Sequence, residues 1–159
     1  METQMKKEIL LTRIFDAPRE LVFKAWTDPG LVAQWWGPDM FTILTCEVDA
    51  RTSGTIFIVM HGPDGVDYPM KGVFREIIPP ERIVFFSIAM EDEQGNSLME
   101  VLTTVTLEEI DGKTKLTLRA EAVKALPEAA FALSGMEAGW SQSIEKLAKL
   151  LAQNEGQDA

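Results

Sequence analysis

A single cysteine, Cys46, rules out an internal disulfide and any thiolate metal cluster. A single histidine, His61, leaves a metal site without further ligands at close spacing and a catalytic base without a visible nucleophile or orienting carboxylate. Basic residues are also scarce, with 15 Lys and Arg against 25 Asp and Glu, a formal net charge of −10 and no basic cluster. A surface of that sign repels phosphate backbones, so nucleic acid is excluded as a partner. No apolar run approaches the length of a membrane span, and the opening METQMKK is not followed by an apolar stretch of signal-peptide type, so a cytoplasmic location is expected. A phosphate-cradling loop is missing too: Gly62-Pro63-Asp64-Gly65 lies between two strand candidates with no helix after it. Neither a cofactor nor a metal is therefore expected.

What remains is a chain of 159 residues, 46% hydrophobic and 25% charged, the size and composition of one globular domain with a substantial core. Its most informative stretch runs from Phe15 to Pro38. Ala17-Pro18 places a proline just inside a helix start, with Glu20 near the orphan donors of the first turn. Leu21, Val22, Ala25 and Trp26 then share one helical face. A second helix starts at once, because Asp28 caps with its carboxylate and Pro29 takes the first helical position. Leu31, Val32, Trp35 and Trp36 form its face, and Gly37-Pro38 ends it.

Residues 8–15 form a strand candidate before these helices. Six more follow at about 41–50, 55–61, 68–78, 82–90, 98–108 and 114–122, bounded by turn residues such as Asp111-Gly112. Their short connections predict antiparallel pairing. Alternation with Lys71 and Arg75 sends Met70, Gly72 and Phe74 inward, and its loss at Glu76-Ile77-Ile78 predicts a bulge. The same logic turns Val105, Leu107, Leu116 and Leu118 inward, and Thr55 and His61 argue for Ile56, Ile58 and Met60. From Pro127 to Gln153 the period becomes helical, with Leu133, Met136, Trp140, Ile144, Leu147 and Leu151 on one stripe. Gly135 and Gly139 each weaken the first half by roughly 1 kcal/mol against alanine, so a frayed or bent start is expected.

The strand, the helix pair with its Trp35-Trp36 before Gly37-Pro38, Gly54 opening a strand, Pro79-Pro80-Glu81-Arg82 between two others, and Gly139-Trp140 in the last helix together resemble the START-like (SRPBCC) superfamily. Within it, the chain is most similar to the group named for homology to the activator of the heat-shock protein 90 ATPase. The resemblance covers about residues 8–152 and implies a single α+β domain of the helix-grip fold. That fold is a curved antiparallel sheet of about seven strands around a long C-terminal helix, with two short helices after the first strand. It further implies a ligand-binding gap between sheet and helix, since a twisted sheet and a straight helix cannot touch everywhere.

Candidate chemistry is sparse. His61 reads as an exposed strand-end histidine and Cys46 as a small buried hydrophobe in an alternating strand. Glu47, Asp49 and Arg51 share one strand face, and exposed charges at alternate positions are the ordinary wet side of a sheet. No catalytic residue is assigned, and the chain reads more as a binding protein than an enzyme. Trp26, Trp35, Trp36, Ile58, Met60, Met70, Phe74, Val105, Met136 and Trp140 are the candidates for lining a cavity, with solid core as the equal alternative. The expected partner is an apolar or amphipathic small molecule. A surface acting on a chaperone ATPase and a cyclase- or hydrolase-type activity are the alternatives that the resemblance leaves open. A homodimer through an exposed sheet edge is a further expectation.

Overall fold

The computed structural model describes residues 7–157. Seven strands, β1 (Lys7–Phe15), β2 (Thr42–Val48), β3 (Thr55–His61), β4 (Asp67–Ile78), β5 (Arg82–Glu91), β6 (Ser97–Ile110) and β7 (Lys113–Ala125), form one sheet of order β1-β7-β6-β5-β4-β3-β2, antiparallel throughout. Helices α1 (Arg19–Thr27) and α2 (Pro29–Trp35) connect the two edge strands, and α3 (Ala130–Ser134) and the 22-residue α4 (Met136–Gln157) close the chain. This is the helix-grip fold, a curved open sheet around a long C-terminal helix. Among the described residues no helix is long and apolar enough to cross a membrane.

The strands run where alternation predicts. Met70, Phe74, Val105, Leu107, Leu116 and Leu118 are buried on the inner face, as are Ile56 and Ile58, while Met60 is half-buried at the end of β3. The irregularity in β4 falls slightly earlier than Glu76-Ile77-Ile78, between Phe74 and Glu76, and the Arg75 guanidinium in that interval lies 5.1 Å from the centre of the Phe86 ring. Gly54 is required by close approach: a Cβ there would lie 2.0 Å from the Asp49 carbonyl oxygen, where the turn before β3 folds back on itself.

One local expectation is corrected and another made specific. Pro18 stands at the N-cap of α1 with extended ψ of 154°, one residue outside the helix, and its carbonyl accepts from Leu21 and Val22. The C-terminal helical stretch is not continuous: a 3-10 turn (Pro127–Ala129) leads into α3, and Gly135 separates α3 from α4. The glycine weakness visible in the sequence shows as a local irregularity at Gly135, across which Gly135 N still donates to Phe131 O and Gly139 N to Gly135 O.

Candidate ligand site beneath the paired helices

Asp28 joins α1 to α2 with no intervening loop. Its backbone N–H donates to Lys24 O at the end of α1, and its carboxylate accepts from Gly30 N at 2.9 Å at the start of α2. That junction holds the two helices at a fixed angle and brings Trp26 and Trp35 edge to face, with ring centres 4.6 Å apart. Gly37, at φ +96°, then turns the chain away, and the segment Gly37–Asp39 is stitched to α4: Gly37 N donates to Ser143 Oγ at 3.1 Å, Asp39 N to Gln142 Oε1 at 2.9 Å, and Lys146 Nζ to Pro38 O at 3.5 Å. Burial pushes the Lys146 amine below its usual range, partly offset by the neighbouring Asp39 charge. These polar contacts seat Trp36 against Trp140 at 5.3 Å, and Trp140 stacks on Trp26 at 5.9 Å.

Under this cluster lies a cavity of about 10 Å³. Trp26, Val32 and Trp36 cover it from the helix side, Val48, Ile56 and Ile58 wall it from β2 and β3, and Phe74, Ile83 and Phe85 floor it from β4 and β5. Every lining side chain is uncharged and nearly all are apolar. The volume corresponds to about one water molecule, against roughly 300–1,000 Å³ for a site that holds a drug-sized molecule.

Of the ten residues singled out in the sequence, the structure brings Trp26, Trp36, Ile58 and Phe74 to this cavity. Trp35 is fully buried beside it, with its indole N–H donating to Ala25 O at 2.9 Å. Val105 is fully buried further along the sheet, paired with Ile83 and Leu118. Met70 is buried opposite Ile58, Met60 is half-buried next to Gly37, and Met136 and Trp140 are half-buried on the first turns of α4. Val32, Val48, Ile56, Ile83 and Phe85 line the cavity without having been singled out. Ile83 and Phe85 stand in an apolar run with Val84 and Phe86, so no alternation in β5 singled them out.

Most buried side-chain polar groups here have partners: Thr114 Oγ1 donates to Ala17 O at 2.7 Å, and Ser143 Oγ donates to Gly139 O at 2.9 Å. Two buried atoms, Trp26 Nε1 and Thr103 Oγ1, have none among the described residues. Elsewhere the polar groups are surface features. His61 Nδ1 lies 2.7 Å from Asp67 at the wet end of β3, and Arg51 pairs with Asp49 at 2.8 Å. Burial pushes the half-buried Cys46 thiol up, away from a reactive thiolate. Among the described residues no group of three or more His, Cys, Asp or Glu is placed to hold a metal ion.

A family model described as activator of Hsp90 ATPase homolog 1-like protein matches residues 16–152. Solved structures agree over nearly the whole chain. A protein from Chromobacterium violaceum is 28% identical, with 91% of this chain and 97% of that one covered and a TM-score of 0.77. A protein from Silicibacter pomeroyi, named for the same activator homolog, is 26% identical over 93% and 99% of the two chains at a TM-score of 0.77. A third, from Nitrosomonas europaea, is 25% identical over 94% and 96% at 0.76. No curated protein matches.

Proposed function

The chain belongs to the activator of Hsp90 ATPase homolog 1-like family, and from that premise we propose that it binds an apolar or amphipathic small molecule between the sheet and its helical cover, at the cavity beneath Trp26 and Trp36. The observation that carries this reading is an uncharged, largely apolar cavity covered by Trp26, Val32 and Trp36, of which Trp36 is only half-buried and reaches the surface. A ligand larger than a water molecule enters by displacing Trp36, whose helix has already ended and whose neighbour Gly37 carries the left-handed turn. Driving force comes from apolar area, at about 25 cal/mol per Å² removed from water. The domain as a whole acts as the binding unit, and no bond-making chemistry is assigned to it.

The test is titration of the folded protein with the neutral dye Nile red, followed by displacement with long-chain fatty alcohols and by the shift in melting temperature. Saturable binding that weakens in Val48→Phe, where a ring grows into the cavity wall, is the expected result. A native protein that neither binds the dye saturably nor gains thermal stability from any apolar compound would sink the reading.

A further inference from the structure

The geometry points to a ligand with a neutral hydrogen-bond acceptor, such as a ketone, ester or amide oxygen, which takes the indole N–H of Trp26. This deepens the binding reading above and rests on it. Trp26 is 4% exposed, lines the cavity, and has no acceptor for Nε1 among the described residues. Its neighbour Trp35 provides the contrast: it is also buried, meets Trp26 edge to face, and does have an acceptor in Ala25 O. A buried donor left unpaired costs on the order of 1–3 kcal/mol, so natural interiors rarely keep one without a use. The other unpartnered buried atom, Thr103 Oγ1, sits on the inner face of β6 directly across from Phe85, which floors the same cavity. Of the two, only Trp26 lines the cavity.

Charge decides what kind of acceptor fits. None of the lining residues is a cation, so a carboxylate would be desolvated without a counter-charge. The formal net charge of −10 also repels an anion on approach. A neutral oxygen meets the indole N–H without either cost, and the rest of the molecule is held by apolar contact.

Three probes of one shape separate the possibilities: diphenylmethane, benzophenone, which replaces the methylene with a carbonyl, and diphenylacetate, which carries a carboxylate. By calorimetric titration benzophenone should bind about tenfold more tightly than diphenylmethane, the worth of one buried hydrogen bond, and diphenylacetate most weakly. In Trp26→Phe the ratio of benzophenone to diphenylmethane affinity should fall to about one, whatever the change in each alone. Because that variant removes a buried ring atom group and can lose stability, the wild-type protein supplies a second readout by nuclear magnetic resonance. The Trp26 indole proton should move downfield on adding benzophenone and stay in place with diphenylmethane. Equal affinity for the two neutral probes, or tightest binding of diphenylacetate, overturns the acceptor assignment and leaves apolar binding standing. Failure of all three probes to bind, in a protein that still takes up Nile red, overturns it as well; failure of every apolar compound overturns both readings.

Discussion

From Ile144 to Leu151, helix α4 buries Ile144, Leu147, Leu150 and Leu151 and ties itself to the edge strand through the Glu145 pair with Arg13. From Met136 to Trp140, the same helix leaves both hydrophobic side chains half-buried, and the preceding α3 leaves Phe131 91% exposed. One half is core, closed by apolar side chains that fill their space. The other is cover, held by the contacts of Trp140 with Trp26 and Trp36, while Gln142, Ser143 and Lys146 further along α4 stitch the helix to the Gly37–Asp39 turn. Rigidity and a filled interior go together at the first end. At the second, Trp140 packs on Trp26 and Trp36, the two indoles that line the cavity, and the Trp26 N–H is unpaired among the described residues.

The sharpest way to break this comparison is to cut one side chain from each half. Leu147→Ala, at a fully buried position, should cost about 2–5 kcal/mol by chemical denaturation, and Met136→Ala less than about 1 kcal/mol. Equal losses would mean that the cover is packed as tightly as the core. Enlarging the same positions gives the second test: Ile144→Trp should cost about 1–3 kcal/mol through overpacking, while Met136→Trp, half-buried and outside the cavity lining, should stay near wild-type stability.

A finer distinction lies between the two neighbouring indoles. Trp35→Phe breaks the buried bond to Ala25 O and should be more destabilising than Trp26→Phe by about 1 kcal/mol, because the latter loses no hydrogen bond within the chain. Reversal of that order in denaturation curves would show that Trp26 Nε1 is already satisfied. Without any mutation, backbone amides of α3 and the first turn of α4 should exchange with deuterium before those from Ile144 to Leu151.

The smallest effect belongs to the hairpin turns. The Tyr68 hydroxyl and the Val66 N–H hold the Asp64 carboxyl below its usual range, and the Asn96 backbone and side chain, with Gln94 and Gly95, do the same for Asp92. A lowered folded-state pKa means that the unfolded chain binds more protons, so the contribution is fully present above the ordinary carboxylate range. It fades as pH falls through the lower folded values. Asp92→Asn should therefore lower stability slightly near neutrality and converge on wild type at low pH, which flattens the acid limb of the stability profile; a steeper acid limb in the variant would reject the assignment.

Strand positions, inward faces and the Asp28 cap were legible because each depends on spacing along a few residues: a two-residue repeat in β4, β6 and β7, and a carboxylate followed by proline at α2. The glycine weakness before α4 was legible as well, though not that the interruption would fall at Gly135. The ten candidate lining residues could be identified as inward-facing, but not sorted between filled core and cavity wall. Val105 stands in a clear alternation and Ile58 in an all-apolar run, yet both read as inward-facing, and only the assembled sheet puts Ile58 on the cavity wall and leaves Val105 outside the lining.

The sequence by itself thus determined the sheet, the helix pair and the family likeness, since hydrophobic period, caps and turn residues act locally and each constrains one element. Only the tertiary structure decided where space remains and which buried polar atoms go unmatched. The indoles of Trp26 and Trp35 both lie on buried helix faces, yet one reaches a carbonyl and the other does not. That difference comes from where the Asp28 junction and the Ser143, Gln142 and Lys146 contacts set the helices over the sheet, and packing of that kind is a property of distant segments meeting, which no local repeat encodes.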